Sequence, residues 1–370
     1  MIRVKEVKSV RDFIKFVNAE YEIKKDDKNF VPPLFIERFI TLRWSAFLKH
    51  GKAKFFIAED EKNKTLGRIS AQIDFLYTEK EKTGFFGFFE CVNSQEVANS
   101  LFQKAEDFLR SEGMEKIRGP FSFNINGESG LLVDGFGTPP FVMMPHNPPY
   151  YAELIENYGF KKAKDLFAWE INREDVEKKT SSLLKLIWKE SGDKIKVREI
   201  TKKNLKEDIK IAVEIFNDAW SENWGFIPIT YEEGQDIANS LKLVLDSKIA
   251  FFALIEDEPA GVCIAVPNIN EALKNTKGGK NPLELIKILL NLKKIKSIRL
   301  LILGVKKKFR KDYPYLPLFM VGELIKRGKE RGYEKAELSW TLEDNERINK
   351  IIKISGGRIY KVYRVYEKEL

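Results

Sequence analysis

The sequence has few of the residues from which disulfides, metal centres and hydrolytic triads are built. Two cysteines, Cys91 and Cys263, and two histidines, His50 and His146, occur among 370 residues. Two such separated cysteines predict no disulfide framework, and no Cys/His spacing matches a zinc site. With so few histidines, and with no complete G-x-S-x-G motif, a Ser-His-Asp hydrolase is not expected. We therefore predict no metal site and no hydrolytic triad.

Long apolar runs are also missing. The best candidates, such as Ile298–Val305, have the length of a strand, whereas a helix that spans a bilayer needs about 20 apolar residues. The segment Met1–Glu6 has the pattern of a strand and lacks the apolar stretch of a signal peptide. We therefore expect a cytoplasmic protein with no membrane partner.

Positive charge is concentrated in one part of the chain. The net charge is +9, from 64 Lys/Arg and 55 Asp/Glu. Residues 272–311, the basic segment, contain 13 Lys/Arg and one acid, Glu284, which leaves 13 − 1 = +12 here and 9 − 12 = −3 elsewhere. Such a local concentration indicates an anionic partner. The alternative is a solvated, lysine-rich face.

The sequence contains an internal repeat. Four short patterns of the first half return in the same order in the second half. They are Ile2–Val7 and Ile195–Ile200, Phe55–Gly67 and Phe251–Gly261, Gly113–Lys116 and Gly332–Lys335, and Asn147–Gly159 and Asn345–Gly357. The period is far too long for a solenoid. We therefore predict two similar domains, residues 1–172 and 195–370, joined by a helical connector at 173–194.

Both halves predict a strand, one or two helices, a β-meander and then alternating helices and strands. In the first half, Gly84–Glu90 has the pattern of a strand, and Asn93 or Ser94 begins a helix that ends near Gly113. Residues 120–149 read as a long Gly/Pro/Asn-rich loop whose apolar content predicts packing. In the second half, a lysine-rich helical insert at 271–296 precedes a strand.

This order of elements resembles the GNAT acyltransferase superfamily, and several local phrases are similar to a bacterial family of tandem GNAT proteins. The phrases are Val31–Leu34, Leu66–Ala71, Gly84–Glu90, Gly130–Phe136, Asn147–Tyr151, Asn223–Phe226, Leu303–Val305, Ser339–Trp340, Glu343–Asn345 and Lys361–Tyr366. The resemblance covers most of the chain. It implies an α/β fold (an α+β mixed sheet) in two tandem GNAT-like domains, and it specifies no acceptor.

The resemblance also implies that acetyl-CoA or another acyl-CoA is the co-substrate. In this superfamily two parallel strands splay apart at a bulge, the pantetheine arm bonds to the backbone between them, and the pyrophosphate lies at a helix N-terminus. Neither half has the superfamily's glycine-rich phosphate loop, but the second half offers cations instead. The expected cofactor-binding residues are Leu303, Gly304, Val305, Lys306, Lys307, Lys308, Arg310, Lys311 and Asn345.

Acyl transfer to an amine needs a group that accepts the amine proton and a group that protonates the leaving thiolate. The candidate bases are Glu90 and Glu343, and the candidate acids, by resemblance to the tyrosines of this superfamily, are Tyr150, Tyr151 and Tyr360. Each of these side chains also has a structural interpretation, as a strand end, a helix start or core packing. The same holds for Asn345, as a helix cap, and for Cys91, as a nucleophile or a buried side chain.

The leading hypothesis is transfer of an acetyl or other acyl group from acyl-CoA to an amine of a small molecule or peptide. Two alternatives stay open. One is a catalytically degenerate tandem-GNAT protein that serves as a binding or scaffold module. The other is nucleic-acid binding through the basic segment, which would depend steeply on salt.

Overall fold

The computed structural model describes residues 2–78 and 80–370. The chain forms two compact units that are not contiguous in sequence. Unit 1 contains the residues up to Leu166, Leu273–Ile288 and Lys361–Leu370, and unit 2 contains Phe167–Ala272 and Leu289–Tyr360. We predicted contiguous domains, residues 1–172 and 195–370. Each observed unit instead contains segments from both of these ranges.

Unit 1 is built on a mixed sheet. Its strands are β1 (Arg3–Glu6), β2 (Gly51–Glu59), β3 (Thr65–Asp74), β4 (Thr83–Cys91), β5 (Lys116–Gly119), β6 (Leu131–Asp134), the first part of β7 (Lys161–Asn172) and most of β13 (Arg358–Glu369). Its helices are α1 (Val10–Ile23), α2 (Phe35–Trp44), α3 (Phe75–Thr78), α4 (Gln95–Ser111), α5 (Tyr150–Asn157) and the first part of α10 (Pro282–Leu292). The strand order is β1-β2-β3-β4-β5-β13, with β6 also paired to β13, and only β4 and β5 of this series are parallel.

The main core of unit 1 lies between the sheet and helix α4. Ser94 caps α4 by accepting a hydrogen bond from the amide of Val97, which satisfies one of the unpaired N–H groups at the helix start. The apolar stripe of the helix, which includes Leu101 and Phe102, is buried against Phe86 and Phe89 of β4. The Ser94 cap explains why the helix begins where the sequence predicts, and the apolar stripe explains which face of the helix is buried.

Unit 2 repeats this arrangement. Its strands are the second part of β7, β8 (Ile195–Glu199), β9 (Ala250–Ile255), β10 (Glu258–Pro267), β11 (Ser297–Val305) and β12 (Lys335–Leu342). Its helices are α6 (Arg173–Ser191), α7 (Leu205–Trp220), α8 (Tyr231–Leu241), most of α9 (Asn270–Leu273), the end of α10, α11 (Leu316–Glu330) and α12 (Glu346–Ile354). The strand order is β7-β12-β11-β10-β9-β8, and β11 and β12 are parallel.

The predicted fold class, an α/β fold with a mixed sheet, is confirmed. Some elements were not predicted, among them helix α3. Strand β6 lies inside the segment 120–149, which read as a loop, and helix α8, also not predicted, begins at a capping box formed by Thr230 and Glu233. The residues predicted as a connector form helix α6 and a short 3-10 turn, Gly192–Lys194.

Candidate functional site

A split between two parallel strands of unit 2 is the clearest candidate for a ligand cleft. Strands β11 and β12 pair only from Ser297 to Leu300 on one side and from Lys335 to Leu338 on the other. Beyond these pairs both strands continue, and residues 300–303 and 338–341 are half-buried. Leu301 is an extra residue in the pairing with β10, which is a β-bulge at the point where the strands separate. The backbone between these strands is therefore placed to accept an extended ligand.

Four polar side chains lie at the closed end of this cleft. Arg299 and Glu337 are opposite each other in the last paired part of the strands, with Arg299 Nε 3.4 Å from a Glu337 carboxylate oxygen. Arg299 Nε also donates a hydrogen bond to Ser339 Oγ at 2.8 Å. The Tyr360 hydroxyl donates to the second oxygen of Glu337. The Glu337 side chain is fully buried. A buried carboxylate is unfavourable unless it is paired and hydrogen-bonded, so these partners offset the cost of burying it.

The wall formed by β12 is fixed by a chain of hydrogen bonds within unit 2. Trp169 Nε1 donates to Thr341 Oγ1 at 2.9 Å, and Thr341 Oγ1 donates to Asn349 Oδ1 at 2.6 Å. The Asn349 amide then donates to the backbone oxygen of Leu342 at 3.0 Å. The separated part of β12 is therefore held by α12 and β7 and does not depend on β11 for its position.

The equivalent place in unit 1 is closed. Strand β4 also has a bulge, at Phe88 with φ 45°, but every residue of the strand is buried. The amide of Phe121 donates to the Phe86 oxygen at 2.8 Å. A Cβ added at Gly87 would lie 1.7 Å from the Phe121 oxygen. In unit 1, the backbone of Phe121 therefore occupies the place that corresponds to the split between β11 and β12 in unit 2.

Side chains occupy the rest of the closed place in unit 1, and they include three of the predicted catalytic residues. The Tyr151 hydroxyl accepts from the Cys91 amide and donates to Glu90 Oε2, both at 2.9 Å. The Tyr150 hydroxyl donates to the Cys91 oxygen at 2.7 Å. Burial raises the pKa of Tyr150 to about 12 and that of Tyr151 still further from its ordinary value. Glu90, Tyr150 and Tyr151 are thus brought together, as internal partners of one another.

Glu90 belongs to a buried network of charges in unit 1. Lys24 Nζ lies 2.8 Å from Glu90 and 3.0 Å from Glu20, and an Arg68 guanidinium nitrogen lies 2.8 Å from Glu20. Burial raises the pKa of Glu90. Burial also opposes the charged form of Glu20, but Lys24, Arg38 and Arg68 outweigh it and hold the pKa of Glu20 below its ordinary range. The network pairs its charges internally.

Cys91 has the properties of a structural side chain. It is fully buried, and burial raises the pKa of its thiol to about 12. Because the thiolate is the reactive form of cysteine, the thiol is a poor nucleophile near neutral pH. The structural interpretation of Cys91 is therefore favoured.

Most of the cations predicted to hold the phosphates of CoA are engaged with acidic side chains or with the backbone. Their partners all lie in unit 2. Lys306 pairs with Glu214 and Glu258, Lys307 with Glu222, and Lys308 with Glu258, while Arg310 donates to the backbone oxygens of Val305 and Ala219. Lys311 is exposed. These cations lie in the loop between β11 and α11, and those that are engaged would have to exchange partners to bind a phosphate.

The remaining predicted residues also lie in unit 2. Leu303 is half-buried in the separated part of β11, whereas Gly304 and Val305 are buried at its end. Glu343 is half-buried and directly follows β12. Asn345 caps α12, because its side chain accepts from the Ile348 amide. The structure therefore brings Glu343 and Asn345 together at the start of α12 and places Tyr360 at the closed end of the cleft.

Arg299, Glu337 and Ser339 were not predicted as site residues. A signal was present, because Arg299 and Glu337 are charged residues inside otherwise apolar strand patterns. Charged side chains are rarely buried unless they are paired. Two residues of opposite charge in neighbouring parallel strands could thus have been interpreted as an ion pair between the strands.

No helix among residues 2–78 and 80–370 has both the length and the apolar character that crossing a membrane requires. No family model matches the chain. The chain is 37% identical over 374 aligned positions to a bacterial ceramide synthase of Caulobacter vibrioides, covering 98% of this chain and 96% of that protein. It is 36% identical to protein YghO of Escherichia coli, covering 98% of this chain and 93% of that protein.

Solved structures show the same fold at low sequence identity. A tandem GNAT protein from the clavulanic acid biosynthesis pathway aligns with a TM-score of 0.60 and 10% identity, over 100% of this chain and 98% of that one. At this identity the likeness shows the fold alone. The two relatives, each more than 30% identical over almost the whole chain, show that this chain belongs to the family that includes the bacterial ceramide synthase of Caulobacter vibrioides and YghO of Escherichia coli.

Proposed function

We propose that this protein is an N-acyltransferase that moves a long acyl group from acyl-CoA to the amine of a long-chain lipid base. The observation that carries the proposal is the half-buried split between β11 and β12 in unit 2. The name of the Caulobacter relative, a bacterial ceramide synthase, supports the lipid acceptor, because a ceramide is the amide of a long-chain base and a fatty acid.

Acyl-CoA would bind in unit 2 and not in unit 1. An extended pantetheine arm needs backbone groups along a strand that is not already paired. Residues 301–305 of β11 lie beyond the last pair with β12. The corresponding place in unit 1 is filled by Phe121 and by the hydroxyls of Tyr150 and Tyr151. In this proposal unit 1 is the degenerate copy and has a structural role.

The reaction joins the amine nitrogen to the thioester carbonyl carbon and breaks the carbon–sulfur bond. The amine loses a proton and the CoA thiolate gains one. Tyr360 is the proposed acid for the thiolate, and Glu337, which accepts the hydrogen bond of Tyr360, is a positioning residue. Glu343 is the proposed base, from its place directly after β12. The amides of the separated strand would stabilise the oxyanion.

An assay of amide formation tests the proposal. The full chain is incubated with palmitoyl-CoA and sphinganine, and the N-acyl product is measured by mass spectrometry. We expect product with the unmodified protein and a loss of kcat of about 100-fold in Tyr360→Phe, within the range for removal of a general acid. Glu337→Gln should instead shift the pH profile, because it changes the charge next to the Tyr360 hydroxyl.

Tyr231→Phe is the matched control, since the Tyr231 hydroxyl accepts a hydrogen bond from Gln235 of its own helix, α8. It should keep full activity. Equal losses in Tyr231→Phe and Tyr360→Phe would contradict the assignment of Tyr360. No amide product with any acyl-CoA, combined with no binding of acyl-CoA in calorimetry, would contradict the proposed function.

A further inference from the structure

Helix α10 exposes an apolar stripe that no described element covers. Leu283, Ile286 and Leu290 lie at positions i, i+3 and i+7 and are 79%, 55% and 67% exposed. Residues three and four apart share a face of a helix, and Leu289, at 52%, extends the stripe. Only Ile288 of the helix is buried. The amphipathic pattern therefore points its wider apolar side to solvent, contrary to the usual arrangement of a surface helix.

A second exposed apolar stripe lies on α2. Ile36, Ile40 and Trp44 are at positions i, i+4 and i+8 and are exposed. The start of α2 and the turn before α10 are joined within unit 1, because the Phe35 amide donates to the Gly278 oxygen at 2.9 Å. Lys280 also lies 4.0 Å from the centre of the Tyr21 ring of α1. Two helices with exposed apolar stripes therefore begin at one junction.

Exposed lysines precede, interrupt and follow the stripe of α10 in the sequence. They are Lys274, Lys277, Lys280, Lys287, Lys293, Lys294 and Lys296. Only one acid, Glu284, lies among them in the sequence, and its carboxylate accepts from the Lys277 amide. Two of the lysines have partners outside the segment, since Lys280 is held by Asn18 and Lys296 by Glu334. Lys287 and Lys294 donate to neutral oxygens of Asn275 and Asn291 within the segment, which leaves their charges uncompensated. The segment thus combines an apolar stripe with an excess of positive charge, which is the pattern of a helix that lies in a membrane interface.

We infer that α10 and its lysines attach this protein to the surface of an anionic lipid bilayer. Charge complementarity decides between the possible occupants. A second copy of this chain would bring the same lysines face to face, and their repulsion would oppose association. An anionic bilayer offers both an apolar layer for Leu283, Ile286 and Leu290 and negative headgroups for the lysines. A tryptophan such as Trp44 is also a side chain that favours the membrane–water boundary.

This attachment goes beyond the proposed function and does not depend on it. It also departs from our expectation of no membrane partner, which rested on the lack of a spanning segment. A helix that lies in the interface does not need the length to span it. If the acceptor and the product are lipids, the attachment would place the enzyme at the surface where both dissolve.

Sedimentation with vesicles tests the inference without acyl-CoA. The full chain is mixed with phosphatidylcholine vesicles, either alone or with roughly one third phosphatidylglycerol. We expect binding to the anionic vesicles that weakens as salt is added. The variant Leu283→Ser/Ile286→Ser/Leu290→Ser should lose about tenfold in bound fraction, because its apolar contact with the bilayer is removed. Lys293→Ser/Lys294→Ser should lose the preference for anionic vesicles.

The matched control is Leu183→Ser/Leu186→Ser, which changes two exposed leucines of α6 and should bind like the unmodified chain. All of these positions are exposed, and unchanged circular dichroism and melting temperature will show that the variants fold. The inference is overturned if the unmodified chain does not sediment, or if the α10 variant sediments equally well. It is also overturned if the chain is an oligomer that the α10 variant converts to a monomer, because a second copy would then cover the stripe.

Discussion

Lys24 neutralises two buried carboxylates in unit 1. Burial lowers its pKa, but Glu20 and Glu90 outweigh burial and raise the pKa above its ordinary value. Replacing one partner of a buried ion pair costs about 3–5 kcal/mol, because the other charge stays buried without compensation. We therefore expect Lys24→Met to lower the free energy of unfolding of unit 1 by this amount in urea titrations.

Lys15→Met is the control for Lys24→Met. Lys15 is also paired with a buried glutamate, Glu59, but the Lys15 side chain is one third exposed and Glu59 keeps Lys5 as a second partner, so we expect a loss of at most about 1 kcal/mol. Similar losses in the two variants would show that the network around Lys24 is not more important than a partly exposed pair.

His146 should make the stability of the protein depend on pH near neutrality. Burial lowers its pKa, although Asp27, 2.8 Å from the ring, opposes this effect; Lys24 and Lys361 add to it. The unfolded chain, with an ordinary pKa of about 6.5, then binds a proton more readily than the folded chain. The contribution of His146 is present above that pH and is lost as the pH falls through it.

The melting temperature measured between about pH 5.5 and 7.5 tests this sign. We expect the melting temperature to fall on the acidic side for the unmodified protein and to fall less for His146→Gln, which has no titrating group at position 146. Carboxylates with raised pKa values, such as Glu37 and Glu90, act in the opposite direction and are common to both proteins. Equal slopes in the two proteins would contradict the prediction.

Strand β4 can lie against Phe121 only because position 87 has no side chain. A Cβ there would be 1.7 Å from the Phe121 oxygen, which also accepts a hydrogen bond from the Gln72 amide at 3.0 Å. We expect Gly87→Ala to cost at least about 3 kcal/mol, the upper end for overpacking, as measured by chemical unfolding. Gly137→Ala is the control, since an added Cβ at Gly137 meets nothing within 4 Å. If Gly87→Ala left the free energy of unfolding unchanged, strand β4 and Phe121 could move apart, and the closed site in unit 1 could open.

The strands and their bulges could be predicted from local patterns, but the state of each cleft could not. Gly84–Glu90 alternates and contains glycine, so the sequence indicates a strand with close backbone approach. Whether the strand is open depends on Phe121 and Tyr151, which are 30 or more residues away in the chain. Nothing in their local sequence shows that they fill the place beside β4. The half-buried split of β11 likewise follows from tertiary packing.

The same limit applies to the candidate catalytic residues. Tyr360 was named by resemblance to the tyrosines of the GNAT superfamily, and the structure places its hydroxyl on Glu337. Tyr151, named by the same resemblance, and Glu90, named for its place at the end of a predicted strand, prove to be partners of each other. Residue type predicts what a side chain can do, whereas its partners decide whether it is available, and those partners are distant in sequence.

Unit 1 is completed by the last ten residues of the sequence. Residues 361–370 belong to unit 1, where Tyr366 pairs with Gly119 of β5 and is fully buried. Lys361, also buried, donates to the backbone oxygens of Gly135 and Thr138. The last strand of the chain is therefore part of the core that surrounds α4 and β5.

A fragment of residues 1–172, the first domain as predicted from the repeat, should accordingly fold poorly. It lacks β13, so β6 loses its strand partner, β5 keeps only β4, and the groove that holds Tyr366 is exposed. The fragment therefore loses apolar burial and leaves backbone groups unpaired. We expect faster proteolysis and a broader, lower thermal transition than for unit 1 in the full chain. Joining residues 361–370 to the fragment through a flexible Gly/Ser linker should restore the transition, whereas a scrambled version of the same ten residues should not. A fragment that unfolds as cooperatively without these residues as with them would show that unit 1 does not need the end of the chain, and the contiguous domain of residues 1–172 would then be the correct folding unit.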